Sequence, residues 1–446
     1  MKQSEPTPSE IRSAERLAIL SSCCGFPGEV VLTDSAVILL FAGALGAGEM
    51  LALLTTSFLP FFNGLCMIPM AALVMRCGHR MVILRVLTLA TLMFFLAAAA
   101  PWFGEGAMAV LTGAVVVFSF ALSGFVAGWY PMLDTFLAPG ERTAFFSRMR
   151  FRHQLISVVF LTVAGMVLGP EPPVGRMQMV LFAAALLFCG RGMAIARIPE
   201  FPVRRTGRFG FREGLARAAG NRKLTGFSLY LFLLNSCTFG TVPLMMLYLK
   251  NGLHAPDDVV VYISAASLAG MLFGYLGIGT VERCVGRRWI FPLFHLLYVV
   301  LGGVLCLIHG GGTAVWIFSG GLLCVYSFLL AGSSILASSE MMALATPGNK
   351  VMAMAFSGTF SYGATGLARI LPSLLLGSGM LAESWEFHGI PFRSWQTLLL
   401  LSAASTLLFS VFLFLVPAVF SSGEVPDRRN GTPCRTKGTT EWKERI

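Results

Sequence analysis

PEFPVRRTGRFGFREGLARAAGNRKL, residues 199–224, is the stretch on which the fold is decided. It holds seven Arg and Lys side chains and no apolar run that could cross a bilayer, which takes about 20 mostly apolar residues. The chain on either side of it is nearly all apolar. Before it, apolar stretches fall at 17–42, 50–75, 82–101, 107–131, 154–170 and 177–196. After it they fall at 226–249, 258–281, 289–309, 313–338, 354–379 and 394–419. Two sets of six predict an all-α polytopic membrane protein with about 12 transmembrane helices in two six-helix bundles. The expected organisation is an N-terminus at 1–16, a first bundle at 17–198, a basic linker at 199–224, a second bundle at 225–419 and a tail at 420–446.

Composition narrows the class further. Of 446 residues 56% are hydrophobic and only 12% charged, whereas soluble domains carry about 25% charged residues. With mean hydropathy at +0.75, a cytosolic enzyme, a secreted disulfide scaffold and a disordered chain are excluded. The ten cysteines lie mostly inside apolar runs, without a CxxC pair or a histidine at zinc-ligand spacing. They are expected to be reduced packing residues, with no metal and no cofactor to hold. The N-terminus mixes acids with bases and runs into the first apolar stretch without a small-residue cleavage site, so that span is expected to act as its own insertion signal.

The net charge of +11 is explained by topology rather than by nucleic acid. Placing both termini, the central segment and alternate loops in the cytoplasm puts every Lys and Arg there except Arg176, Lys250, Arg369 and Arg393, as the retention of basic residues on the inner side requires. A cell-membrane location with both termini inside follows, the basic loops resting against anionic headgroups.

An internal repeat supports the division into two halves. Arg76-Cys77-Gly78-His79-Arg80 follows the second span, and Arg283-Cys284-Val285-Gly286-Arg287-Arg288 follows the eighth. Ala138-Pro139-Gly140-Glu141-Arg142 follows the fourth, and Thr346-Pro347-Gly348-Asn349-Lys350 the tenth. Gly78 and Gly286 are 208 residues apart, and so are Pro139 and Pro347. Parallel halves related by an axis along the membrane normal are an established transporter plan.

On these residues the chain resembles the major facilitator superfamily of transporters. The loop through Arg76, Gly78 and Arg80 is similar to that family's signature between the second and third helices, with Met75 where the family's Asp usually stands. The second copy keeps Gly286-Arg287-Arg288 and has Arg283 at the Asp position. Trp129 to Asp134, continuing to Phe146, resembles a branch whose fourth helix ends in an apolar-Asp segment before a Pro-Gly-basic loop. The resemblance implies two bundles rocking about a central cavity, with Asp134 latching to Arg76, Arg80 or Arg150.

Charged side chains inside spans cost about 2.5–3.5 kcal/mol each at the centre and so mark candidate sites. Glu29 and Asp34 fall in the first span and Arg369 in the eleventh. At about 1.5 Å per residue they lie roughly 18, 25 and 22 Å deep, which predicts one central layer. Arg369 is expected to pair with Glu29 or Asp34, or to face a wet cavity. Pro27-Gly28, just before Glu29, predicts a break or kink in the first span. The seventh span offers Asn235, Ser236, Thr238 and Thr241, and the tenth offers Tyr326. Weaker candidates are Asn63, Ser119, Ser123, Tyr130, Ser334, Ser361 and Tyr362. Glycines at four-residue spacing, Gly165 with Gly169 and Gly270 with Gly274, predict close helix contacts where the fifth and eighth spans meet across the halves.

No hydrolase, P-loop or calcium-loop motif is present, and His309-Gly310-Gly311-Gly312 reads as a turn, so an enzyme is not expected. The expected function is a secondary active transporter moving a small solute by alternating access, as a facilitator or with proton coupling. Glu29 is the first candidate for the proton site and Asp34 the second. The expected partners are a small-molecule substrate, protons if the cycle is proton-coupled, and the lipid bilayer, with no nucleic acid, and the chain is expected to act as a monomer. The alternative is a non-transporting membrane receptor or scaffold with the same fold.

Overall fold

A computed structural model describes residues 7–137, 142–199, 201, 210–346, 349–387 and 389–415. The second repeated loop, Pro139-Gly140-Glu141 with Pro347-Gly348, most of the basic linker and the tail lie outside the described residues, as do the side chains of Arg287 and Arg288.

Helix α1 is Pro8–Thr33, and a capping box starts it. The Thr7 hydroxyl accepts from the Glu10 backbone N–H while the Glu10 carboxylate accepts from that of Thr7, and Pro8 occupies the first turn, where it gives up no helical bond. The helix runs through Pro27 without interruption. Its break comes later, at Asp34, where α2 (Ala36–Ala44) leaves α1 at 45°. Ser35 causes the restart, because its hydroxyl accepts from the Val37 N–H as an N-cap. Gly28 has a different use from the expected kink. A Cβ there would lie 3.0 Å from the Ala184 carbonyl, so glycine lets α1 press against α8 (Val174–Ala196).

The other helices of the first half are α3 (Glu49–Thr55), α4 (Phe58–Cys77), α5 (His79–Ala98), α6 (Ala107–Leu133) and α7 (Arg142–Leu168). Then follow α9 (Phe211–Gly220), α10 (Arg222–Thr238), α11 (Thr241–Leu247), α12 (Asp257–Val285), α13 (Arg287–Cys306), α14 (Thr313–Leu344), α15 (Lys350–Gly377) and α16 (Ser394–Leu415). Among the described residues nine helical segments are long and apolar enough to cross a membrane, or ten with the bent pair α1 and α2. Helices α15 and α16, at 28 and 22 residues, reach about 42 and 33 Å at 1.5 Å per residue. The molecule is a multi-pass membrane protein, and each of the twelve apolar stretches is met by one helix or by two consecutive ones, as α1 with α2, α3 with α4 and α10 with α11.

Two features were not expected. Within the basic linker, α9 is a short helix docked by Asn349, whose Nδ2 donates to the Gly214 carbonyl at 2.7 Å. Between α15 and α16 a two-stranded antiparallel hairpin, β1 (Ser384–Phe387) with β2 (Ile390–Arg393), covers one end.

Within each set of six, α5 packs on α6 and α1 on α8 in the first, and α12 on α14 and α13 on α16 in the second. The sets meet along two seams, α4 with α15 and α7 with α12. At the first seam Gly64 faces Gly363 so closely that a Cβ on Gly64 would sit 2.4 Å from the Gly363 nitrogen. At the second, Gly165 receives the Tyr262 ring. Gly270 and Gly274 do not serve that seam. They abut the Cys324 and Phe328 carbonyls of α14, within their own set.

The repeated loop is repeated in backbone as well. Gly78 ends α4 at φ 85°, ψ 139°, and Gly286 ends α12 at φ 85°, ψ 143°. That region is open to glycine and strained for other residues, which accounts for glycine at both positions.

Candidate functional site

Five charged side chains lie in one region, the Glu29–Arg191 pair inside the first set and Asp34, Arg369 and Arg150 where the two sets meet. Glu29 pairs with Arg191 of α8 at 2.9 Å, the guanidinium being 3% exposed and the carboxylate 17%. Gly25, one turn before Glu29, makes room for it, since a Cβ there would overlap the Arg191 guanidinium. The cation also lies 4.5 Å from the Phe125 ring centre and 5.2 Å from that of Phe188, an arrangement that partly offsets its desolvation. Sequence reading left Arg191 on the cytoplasmic side of its span. The available signal was an arginine inside a long apolar run, which is costly unless it is paired.

Arg369 pairs with Asp34, as one of the two expected arrangements, at 2.6 Å. It also donates to the Thr56 carbonyl at 2.7 Å. The break between α1 and α2 is what frees Asp34 to point at α15. Although it sits among membrane-crossing helices, its side chain keeps 44% exposure.

The third cation is Arg150 of α7. Its guanidinium lies beside the Tyr130 phenol and 5.7 Å from the Tyr275 ring centre across the seam. Tyr362 of α15 is within electrostatic reach of Tyr130, Glu29, Arg150 and Tyr275, and Tyr275 of Asp34, so all belong to one region. No carboxylate among the described residues is within ion-pair distance of Arg150. Next to it on α7, His153 is buried, stacked 4.2 Å from Phe26, with Nδ1 unpartnered.

The polar residues of the seventh and tenth spans form a separate network. Thr241 and Tyr326 share a hydrogen bond of 2.9 Å, Tyr326 donates to the Thr238 carbonyl at 3.0 Å, and Asn235 donates to Ser361 at 2.8 Å. Asn235, Thr238 and Tyr326 are all buried, and the hydrogen bonds they need come from within their own set of helices. Asn63 and Ser119 are buried with an unpartnered oxygen each.

Toward the Glu49 end the two sets are clasped. Glu49, at the start of α3, accepts from Asn251 and from the Trp395 indole, both at 2.9 Å. The Ala36 N–H donates to Ser264 at 3.3 Å, and the Asp257 N–H to the Pro170 carbonyl at 3.0 Å. Near the opposite end Arg80 donates to the Ala196 carbonyl at 2.8 Å, and Asp134 caps α6. Arg150, one of the partners expected for Asp134, is instead among the tyrosines. An apolar recess of about 540 Å³ between α13, the hairpin and α16 has no titratable side chain except Cys306, and none of the five charged residues lines it.

No protein-family model matches the chain, and no curated protein matches it in sequence. Solved structures do. The nucleoside transporter NupG superposes with a TM-score of 0.63 at 15% identity, over 92% of this chain and 99% of that one. FucP, a major facilitator transporter in the outward conformation, gives 0.61 at 12% identity over 91% and 98%. A bacterial homologue of the iron transporter ferroportin, in the inward-facing state, gives 0.59 at 13% over 92% and 99%. With the likeness covering both sets of helices and the seams between them, the chain has the fold of the major facilitator superfamily transporters.

Proposed function

We propose that the protein is a secondary carrier that moves a small solute across the cell membrane by alternating access about the layer of Glu29, Asp34, Arg150, Arg191 and Arg369. The observation that supports this most is the exposure of Asp34. A carboxylate held 2.6 Å from a buried arginine yet 44% exposed, deep between the two helical sets, calls for an aqueous cavity. Among the solved structures of similar fold are a nucleoside transporter and a bacterial homologue of the iron transporter ferroportin. The two bundles, 17–198 and 225–419, act as the rocking bodies, with both termini in the cytoplasm and the Glu49 clasp closing the outer side.

Each half donates to the layer, so rocking must exchange its partners. Glu29 and Arg191 stand within one half, and that pair travels as a unit. Asp34 and Arg369 stand in different halves, so opening at the Glu49 end separates them. Asp34 is therefore the better placed carboxylate for coupling a proton to the cycle, ahead of Glu29. The test uses a cysteine-free variant carrying Asp34→Cys and a membrane-impermeant maleimide. Labelling is expected from both sides of the membrane. Cross-linking Glu49→Cys to Asn251→Cys should confine it to the cytoplasmic side. Labelling from one side only without the cross-link, or labelling from both sides with it, would refute alternating access.

A further inference from the structure

Arg150 is the cation of the layer for which the described residues supply no acid. Two carboxylates, Glu29 and Asp34, face Arg191 and Arg369. The third guanidinium has around it only phenols and a ring face, in a region where Tyr130 is 49% exposed. An unmatched arginine between membrane-crossing helices is costly, and such residues mark substrate or ion pathways. The excess is one positive charge, so a ligand with one negative charge neutralises it, while a dianion would leave a charge uncompensated. The guanidinium fork matches a carboxylate in two parallel hydrogen bonds. The Tyr275 ring lies 5.7 Å from it, and Tyr130 and Tyr362 stand in the same region, surroundings that suit a ligand with an apolar or aromatic body.

We infer that Arg150 anchors the carboxylate of a small organic monoanion with an apolar or aromatic body, and that this is the class of solute the cavity takes. The inference rests on the carrier reading, and it names Arg150, Tyr130, Tyr275 and Tyr362 as the residues in contact with the solute. Arg150 comes from α7 and Tyr275 and Tyr362 from α12 and α15, so an anion bound here touches both halves and screens the charge on the seam.

The test compares benzoate with benzamide, which have the same ring and differ in charge, on the full-length protein purified in detergent. Benzoate is expected to raise the apparent melting temperature and benzamide is not. Arg150→Gln should weaken benzoate binding roughly tenfold or more, and Arg150→Lys should keep a weaker preference for benzoate. If Arg150→Gln does not fold, Arg150→Lys decides. A benzoate preference unchanged from wild type in that variant overturns the inference, because a lysine cannot reproduce the two-pronged contact. Equal stabilisation by benzamide, or full benzoate binding in Arg150→Gln, also overturns it. Uptake into proteoliposomes separates the two claims. Neutral solutes carried without benzoate binding would sink the anion site and leave the carrier standing. Benzoate bound with no solute carried would keep the anion site and remove the carrier.

Discussion

Removing the Glu29 carboxylate leaves Arg191 as a buried cation without its counter-charge. The guanidinium is 3% exposed, its Nε is already unpartnered, and its one charged contact is the 2.9 Å bond from Nη1 to Glu29. Breaking a buried pair by deleting one partner costs about 3–5 kcal/mol. Water that reaches the carboxylate at 17% exposure, together with the Phe125 and Phe188 rings, places Glu29→Leu near the lower end, about 3 kcal/mol. Glu29→Gln keeps a neutral acceptor for Nη1, and since charge-assisted bonds are roughly twice as strong as neutral ones, about half that loss is expected. Replacing both partners, Glu29→Leu with Arg191→Met, removes the uncompensated charge and should recover most of the stability. The assay is the apparent melting temperature of detergent-purified protein, read in one detergent for all four proteins. The expected order is wild type, then the double variant, then Glu29→Gln, then Glu29→Leu. A double variant no more stable than Glu29→Leu would refute the claim that the loss comes from an orphaned arginine.

The α4–α15 seam is asymmetric. Gly64→Ala places a Cβ 2.4 Å from backbone at Gly363, whereas a Cβ on Gly363 meets nothing within 4 Å. Gly64→Ala should therefore cost about 1–3 kcal/mol and Gly363→Ala less than that, measured as yield of monodisperse protein and melting temperature. Lys250 pairs with Asp257, whose carboxylate is only 9% exposed although the amine is 39% exposed, so Lys250→Ala strands a buried acid and should lower stability by about 1–3 kcal/mol, and an unchanged melting temperature would show that the start of α12 carries the charge alone. Of the described cysteines, Cys77 and Cys284 are exposed and stand in the two copies of the repeated loop. An impermeant maleimide should label both from the same side of the membrane; labelling from opposite sides would overturn the parallel repeat. Glu49→Ala removes the acceptor of Asn251 and Trp395 and should speed labelling of Asp34→Cys from the outer side, as a weakened clasp requires.

The hydropathy pattern was enough to place the apolar helical stretches in order along the chain, because the bilayer imposes length and apolarity on each span independently of its neighbours. It was also enough for the repeat, since two basic loops with glycine at one offset need only one chain to be seen, and Gly78 and Gly286 share their backbone angles. Glu29, Asp34 and Arg369 stood out as charges within apolar runs. Their partners did not. Glu29 meets Arg191 162 residues away, and that choice depends on Gly25 clearing the space and on how α1 lies against α8. Whether a break falls at Pro27 or at Asp34 depended on which carbonyls and hydroxyls were left to restart the helix, and Ser35 decided it. By sequence alone Arg150 belongs to a loop, because it lies between Arg148 and Arg152 after the fourth span. Only the packing of α7 against α12 and beside α6 brings it among tyrosines and apart from any described acid. Span composition is a local property paid residue by residue to the lipid, whereas the pairing of buried charges is set by distances between helices, which no single span carries.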